Sequence, residues 1–314
     1  MKIALLGPTA SGKSALAVAL AQRLGAWIVN GDPFQAYRGL AIGTGQPDER
    51  EQGGVPHLGY GELDLDTVLD PASFGDRVRG WLAQAPRAIL VTGSGLYLRG
   101  IWEQLGPPVE VPGALTERVR AWQARLGPEV LHRFLRAVDP ARASVLHPRD
   151  GARIQRALAL HLATGNRPSD LLEPQRRGIP VGWKALVVLP VREAQRERVD
   201  RRVRAMVAAG WPAEVERIRQ GGLEAALRRL RPLGYEAWLD SRDPETTISG
   251  IIRSTQAYAK RQVTFFRNQW PEVAAWDPDQ ETVEQALERL SGPAAGPEGP
   301  AQRQGPDSRG PGRA

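Results

Sequence analysis

GPTASGKS, at residues 7–14, matches the pattern G-x-x-x-x-G-K-[ST]. The short apolar run Lys2 to Leu6 precedes it, and Ser14 to Leu24, rich in alanine and leucine, follows it and stops at Gly25. A strand before the loop and a helix after it form the context that this pattern requires. The sequence therefore predicts a phosphate-binding loop at the start of an α/β fold.

The residue types of this loop explain how it would bind phosphate. Its glycines allow successive backbone N–H groups to face phosphate oxygens, and the N-terminus of the following helix adds a positive dipole. Lys13 would neutralise charge, and Ser14 could ligate Mg²⁺, the predicted cofactor. The predicted diphosphate-binding residues are Gly7, Pro8, Thr9, Ala10, Ser11, Gly12, Lys13 and Ser14.

Three further apolar runs, Ala26 to Val29, Ala88 to Val91 and Lys184 to Leu189, do not alternate with polar residues. Such runs are typical of parallel strands that are covered on both faces. The predicted fold class is α/β, a P-loop NTPase-like parallel sheet flanked by helices, with an all-helical insertion domain.

The insertion is predicted because no strand-like run occurs between Val111 and Asp170. Helices are predicted there at 115–126, 130–138 and 152–163, and later in the chain at 199–220 and 249–270. The predicted domains are a catalytic core at 1–110 and 179–290, a helical insertion at 111–178, and a disordered Gly/Pro-rich tail at 291–314.

Composition excludes several classes of function. The chain has no cysteine, which excludes disulfides, thiolate catalysis and Cys-ligated metals. No apolar run reaches the roughly 20 residues of a spanning helix, so a cytoplasmic protein without a membrane partner is expected. A monomer is also expected. The net charge is +7, and residues 116–178 hold 12 arginines against 6 acidic residues. This excess favours a polyanionic partner, although solvated arginines on helix faces would give the same pattern.

The position of Asp32 leaves the phosphate chemistry open. Asp32 follows the second apolar run, whereas the run at 88–91 ends in Thr-Gly-Ser-Gly without an acidic residue. The carboxylate could support Mg²⁺ in a small-molecule kinase. It could equally take a proton from an acceptor, or only cap a helix.

A series of ordered motifs resembles the bacterial tRNA dimethylallyltransferases over about residues 1 to 290. These motifs are GPTASGKS, Asp32-Pro33-Phe34-Gln35 continuing to Ile42-Gly43-Thr44, Gly93-Ser94-Gly95-Leu96-Tyr97, and Tyr258-Ala-Lys-Arg-Gln262-Val-Thr264. The family usually has serine where this chain has Pro33, and threonine where it has Ser94. Pro33 removes a hydroxyl and a backbone N–H at that position.

The resemblance implies the reaction and the residues that carry it. The loop would hold dimethylallyl diphosphate, and the acceptor would be N6 of the adenosine 3′-adjacent to the anticodon, within the anticodon stem-loop of tRNA. Asp32 would be the general base, with Ser94 and Arg202 as further catalytic residues. The resemblance also makes the helical insertion at 111–178 a tRNA-binding domain. The implied tRNA-binding residues are Asp32, Pro33, Phe34, Gln35, Ser94, Thr116, Ala152, Arg153, Ile154, Gln155 and Arg156.

Three other functions use some of the same features. A phosphoryl transferase for small molecules would consume ATP without RNA. An isopentenyl transferase directed at AMP would use the same donor, but it would not need the long basic insertion. An RNA-binding module with a regulatory nucleotide site would bind RNA without forming product.

Overall fold

The computed structural model describes residues 1–103, 109–171 and 178–291. Its contacts divide the chain into two units. The first unit comprises Met1–Gln104 with Gly178–Ala314, and the second comprises Leu105–Arg177. The sequence predicts the corresponding changes of domain at 110–111 and 178–179.

The first unit is built on a six-stranded parallel sheet with the strand order β3-β2-β4-β1-β5-β6. The strands are β1 (Lys2–Leu6), β2 (Trp27–Asn30), β3 (His57–Leu58), β4 (Ala88–Thr92), β5 (Trp183–Val188) and β6 (Ala274–Trp276). Strand β1 lies between β4 and β5, so the loop that follows it emerges from the middle of the sheet.

The sheet is covered on both faces, which explains why its strands do not alternate between apolar and polar residues. In β1, Ile3 and Leu5 pack into one apolar cluster, whereas Ala4 and Leu6 pack into the other. All four side chains are buried. The predicted α/β fold class is confirmed.

Helices complete the first unit. They are α1 (Lys13–Leu24), α2 (Ala41–Thr44), α3 (Glu49–Gln52), α4 (Pro71–Gln84), α5 (Gly95–Glu103), α11 (Arg192–Ala208), α12 (Trp211–Gln220), α13 (Glu224–Leu230), α14 (Tyr235–Leu239), α15 (Pro244–Gln269) and α16 (Val283–Ser291), with a short 3-10 helix at Pro33–Ala36. The single helix predicted at 199–220 is wrong, because Gly210 adopts a left-handed conformation (φ 99°) that separates α11 from α12.

The second unit contains five helices among its described residues. They are α6 (Gly113–Leu126), α7 (Pro128–Val138), α8 (Pro140–Ser144), α9 (Gly151–Thr164) and α10 (Pro168–Leu171). A separate apolar core holds α6, α7 and α9 together through Val119, Leu135 and Ile154, each fully buried. No strand occurs in the described part of this unit, as the sequence predicts.

Two strands were not predicted from sequence, namely the edge strands β3 and β6. They contain two and three residues, too few to show a periodicity. Ser291 ends α16, and the remainder of the predicted disordered tail lies outside the described residues. None of the described helices is long and apolar enough to cross a membrane.

Candidate active site

A cavity of about 300 Å³ opens where the parallel strands end, beside the phosphate loop. Ligand sites of open α/β sheets lie at this carboxyl edge because the loops there are held by the sheet yet remain accessible. We call it the site cavity. Its polar lining residues include Thr9, Lys13, Ser14, Asp32, Gln35, Arg202, Thr255, Tyr258 and Gln262.

The phosphate loop has the backbone that its glycines predict. At Gly7 (φ 140°), a Cβ atom would lie 2.4 Å from the Val188 carbonyl oxygen, so only glycine allows the loop to pass β5 this closely. Gly12 precedes α1 without a capping side chain, and the first turn of α1 contains no acidic residue. The N-terminus of α1 is therefore suited to receive an anion.

Lys13 is folded back onto its own loop. Its Nζ donates to the Pro8 carbonyl oxygen at 2.6 Å, and it lies 3.4 Å from Ser11 Oγ. Burial, assisted by the Arg202 cation, lowers the pKa of Lys13 to about 7, although Asp32 acts in the opposite direction. An anionic ligand that neutralised Arg202 would restore the charge of Lys13, because the unfavourable environment arises partly from the second cation.

Asp32 is held at the end of β2 by local hydrogen bonds. Its backbone N–H donates to Asn30 Oδ1 at 2.8 Å, and its Oδ1 accepts from the Phe34 N–H at 3.0 Å. Within the described residues, Oδ2 has no hydrogen-bond partner, so one oxygen can accept a proton. Burial raises the pKa of Asp32, while the Phe34 N–H and the cations Lys13 and Arg202 oppose this shift.

Pro33 fits this arrangement without the loss of a backbone hydrogen bond. Asp32 caps the 3-10 helix, and Pro33 occupies its first position. The N–H at that position has no partner within the helix, so a proline is tolerated there. Asp32 thus caps a helix, which was one of the roles left open by the sequence. It also lines the site cavity.

Arg202 and Ser94, the other residues predicted to be catalytic, differ in position. Arg202 lines the site cavity and also a second cavity of about 610 Å³. Burial lowers its pKa, an effect that the carboxylates Glu51 and Asp32 oppose. Ser94 is absent from the lining of the site cavity, although Gly93 contributes to it. The Ser94 N–H donates to Thr92 Oγ1, which in turn donates to the Gly31 carbonyl oxygen.

Gln262 joins the loops that follow β1 and β4. Its Oε1 accepts from the Thr9 N–H at 2.9 Å, and its Nε2 donates to the Gly93 carbonyl oxygen at 2.8 Å. Gln262 is buried, and Tyr258, one turn earlier on α15, lines the site cavity. The alternative interpretation of the motif, a solvated helix face with one buried tyrosine, does not hold for Gln262, because Gln262 is buried.

The residues predicted to bind tRNA are divided between the two units. Pro33, Phe34 and Gln35 belong to the first unit, and the last two line the site cavity. In the second unit, Thr116 lies on α6, and Ala152, Arg153, Gln155 and Arg156 lie on α9. Ile154 is fully buried in the core of the second unit, so its side chain supports α9 and is not available to RNA.

Three residues at the site were not found by sequence reasoning. The Gln195 Nε2 donates to the Thr9 carbonyl oxygen at 3.2 Å, Trp211 lines the site cavity, and Glu214 is buried beneath it. They come from α11 and α12, about 200 residues after the phosphate loop. No local motif marks them, because tertiary contacts alone bring them to the site.

Known proteins are similar to this chain over most of its length. The IPP transferase family model matches residues 35–269, and the isopentenyl transferase family model matches residues 1–58. The tRNA dimethylallyltransferase of Nitrobacter hamburgensis is 37% identical over 88% of this chain and 91% of its own length. That of Geobacter metallireducens is 39% identical over 83% of this chain and 87% of its own length.

A solved structure has the same fold. The full-length tRNA isopentenylpyrophosphate transferase of Bacillus halodurans superposes with a TM-score of 0.64 at 28% identity, covering 91% of this chain and 93% of that chain. The similarity to this solved structure therefore extends over nearly the whole chain and includes residues of both units. With its phosphate loop, Asp32 and Arg202 on one cavity, this chain belongs to the tRNA dimethylallyltransferase family.

Proposed function

We propose that this chain transfers a dimethylallyl group from dimethylallyl diphosphate to N6 of the adenosine 3′-adjacent to the anticodon of tRNA, releasing diphosphate. The observation that carries the proposal is the convergence of Lys13, Asp32 and Arg202 on one cavity. Two cations match a departing diphosphate, and one carboxylate matches the acceptor proton.

Asp32 serves as the base for the acceptor. The lone pair of N6 is delocalised into the purine ring, so the amine is a weak nucleophile until its proton is accepted. Within the described residues, Asp32 Oδ2 has no hydrogen-bond partner, and the pKa of Asp32 lies above its ordinary value. A higher pKa makes the carboxylate a better proton acceptor once it is ionised.

The larger demand is to stabilise charge on the leaving group. As the bond between the allylic carbon and the diphosphate oxygen breaks, negative charge grows on the diphosphate. The N–H groups of the phosphate loop, Lys13 and Arg202 lie around the cavity where that charge develops. Strand β1 and helices α1 and α11 hold the backbone of these residues in place, and the Lys13 ammonium would turn from the Pro8 carbonyl oxygen to the diphosphate.

The residues present also fit a Mg²⁺ ion that arrives with the diphosphate. Mg²⁺ bound to phosphates keeps several waters and needs few protein ligands. The described residues contain no group of three His, Asp or Glu side chains that could hold a metal alone. Ser14, at the start of α1, lines the cavity and would hold the ion. When bound, the ion would supply additional neutralisation of the leaving group.

The second unit provides contacts to the rest of the tRNA. Its Arg153 and Arg156 are exposed on α9, in the segment with the arginine excess. Reaching N6 requires the adenosine to leave its stack, which costs a few kcal/mol. Contacts between arginines and phosphates elsewhere on the tRNA would offset that cost.

One prediction concerns the salt dependence of tRNA binding. Each phosphate contact contributes roughly 0.7 to 0.9 to the slope of log affinity against log salt. Removing Arg153 and Arg156 together should reduce the magnitude of this slope by about one to two units. Fluorescence-detected tRNA titrations between low and moderate salt measure it.

The control removes two arginines at the amino edge of the sheet. Arg23 lies in the last turn of α1, and Arg87 immediately precedes β4, so both lie opposite the site cavity. The variant Arg23→Ala/Arg87→Ala should retain the wild-type slope. A wild-type slope in the Arg153→Ala/Arg156→Ala variant would place the tRNA contacts on other residues.

The function itself is tested by following the transferred group. The full chain is incubated with Mg²⁺, unmodified tRNA, AMP and dimethylallyl diphosphate carrying a labelled allylic carbon, and in a parallel reaction with labelled ATP in place of the labelled donor. The tRNA is then cut into oligonucleotides, which retain the position of the label. We expect the label on an adenosine at the position after the anticodon. Label that appears on AMP instead of tRNA, or phosphate transfer from labelled ATP, would support one of the alternative enzymes and overturn this proposal.

A further inference from the structure

Glu214 is a buried carboxylate next to the site cavity that no step above uses. Only 3% of Glu214 is exposed, and it lies on α12. Its Oε2 accepts from the Ile42 N–H at 2.8 Å, and its Oε1 accepts from the Gly43 N–H at 3.1 Å. The hydroxyl of Tyr235, fully buried, donates to Oε1 at 2.7 Å. Both oxygens of this carboxylate therefore bind protein groups, two N–H groups of helix α2 and the phenol of Tyr235 on α14.

Helix α2, which Glu214 anchors, contacts two side chains of the site cavity. At its C-terminal end, Gln35 Nε2 donates to the carbonyl oxygens of Thr44 at 3.1 Å and Gly45 at 2.8 Å. A Cβ atom on Gly45 would lie 2.0 Å from the Arg202 guanidinium, so this guanidinium packs against bare backbone. Helix α2 thus fixes Gln35 by hydrogen bonds and Arg202 by close packing.

The packing of Arg202 matters because its charged group is otherwise positioned only by electrostatic attraction to the carboxylates Glu51 and Asp32 within the described residues. The other side of α2 is equally confined, since a Cβ atom on Gly43 would lie 2.1 Å from the Trp211 indole and 2.6 Å from the Tyr235 ring. A shift of α2 would therefore displace Arg202 and Gln35 together.

We propose that Glu214 is a positioning residue for the transfer reaction, which it serves by anchoring α2 so that Gln35 and Arg202 are held in the site cavity. This inference rests on the proposed function for its kinetic readout only. Glu214 acts through other groups and has no contact with the reacting atoms. A carboxylate is suited to this task, because a single side chain can accept from two adjacent backbone N–H groups and from a phenol at once.

The test compares Glu214→Gln with a matched control on the same helix. Glutamine retains one acceptor oxygen but presents an NH₂ group to the second N–H, so one bond to α2 is lost. Glu216 is half-exposed, and its carboxylate contacts Arg219 and Gln220 away from the cavity. Glu216→Gln therefore makes the same chemical change without touching α2.

We expect Glu214→Gln to lower kcat for prenyl transfer about tenfold, less than the hundredfold that a 1 Å misplacement can cause, with KM for tRNA little changed. The affinity for inorganic diphosphate should fall as well, since Arg202 is displaced. Hydrogen exchange at the amides of Ile42 and Gly43 should accelerate in Glu214→Gln, and Glu216→Gln should match the wild type in every measurement. The diphosphate and exchange measurements require no transfer activity, so they test the inference even if the proposed function fails.

A second variant displaces Arg202 without touching Glu214. Gly45→Ala places a methyl group against the guanidinium, whereas Gly39→Ala introduces the same strain of a left-handed backbone with nothing within 4 Å of the new atom. Gly45→Ala should reproduce the kcat and diphosphate effects of Glu214→Gln, and Gly39→Ala should not. The inference is overturned if Glu214→Gln leaves the exchange of Ile42 and Gly43 unchanged, or if its loss of activity equals its loss of folded protein.

Discussion

Asp32→Asn should lower the single-turnover rate of prenyl transfer by about a hundredfold or more while both substrates still bind. Asparagine retains the acceptor that receives the Phe34 N–H, so the cap of the 3-10 helix persists. It replaces the oxygen without a partner by an NH₂ group, which cannot take the N6 proton. Rapid-quench measurements with saturating tRNA and dimethylallyl diphosphate give the rate, and separate titrations give the affinities.

Asp64→Asn is the matched control for this prediction. Asp64 is exposed and pairs with Arg38 at 2.7 Å, outside the lining of the site cavity. Its replacement removes the same charge without altering the site. An Asp32→Asn variant with a near wild-type rate would exclude the role of base. A loss of diphosphate affinity in proportion to the rate would instead assign Asp32 to the support of Mg²⁺.

Lys13→Ala should weaken the binding of inorganic diphosphate by roughly tenfold to a hundredfold at pH 6, the range expected for losing a charged hydrogen bond to an anion. The pKa of Lys13 in the free protein is about 7, so the ammonium is charged below this pH and neutral above it. The wild type must take up a proton to bind above pH 7, and its advantage over Lys13→Ala should therefore shrink as the pH rises.

Isothermal titration calorimetry of both proteins from pH 6 to pH 9 measures this difference in diphosphate affinity. The protonation of diphosphate affects both proteins equally, so it cancels in the comparison. Lys2→Ala serves as the control, since Lys2 is exposed and lies over the Trp183 ring away from the cavity. A difference between wild type and Lys13→Ala that stays constant with pH would contradict a lowered pKa. No difference at any pH would exclude Lys13 as a diphosphate ligand.

The sequence predicted the parts of this protein that depend on neighbouring residues. The phosphate loop, the apolar strand β1 and the start of α1 all follow from a single stretch of 14 residues, since loop, strand and helix have local patterns. The break at Gly210 was missed because its flanking residues are helical on both sides. The signal that could have found the break is Pro212, two residues after Gly210, because proline is favoured in the first turn of a helix and disrupts a helix interior.

The candidate site was predicted only where a motif supported it. Asp32 and Arg202 were named through the family resemblance, and the fold places both on the site cavity. Gln195 and Glu214 were not named, because their partners are backbone groups about 170 to 190 residues away in sequence. Contacts of that kind depend on how α11 and α12 pack on the sheet, which no local pattern encodes.

The hydrogen bonds of Gln262 also bear on how this protein is synthesised. The phosphate loop leaves the ribosome before the side chain that joins Thr9 to Gly93, because Gln262 is 253 residues further along the chain than Thr9. A nascent chain that has emerged only as far as α12 therefore contains the phosphate loop but lacks the two hydrogen bonds that Gln262 makes to Thr9 and Gly93. Competence to hold diphosphate should appear late in translation, after α15 has left the exit tunnel, and chains truncated before residue 262 should fold parts of the sheet without forming the site.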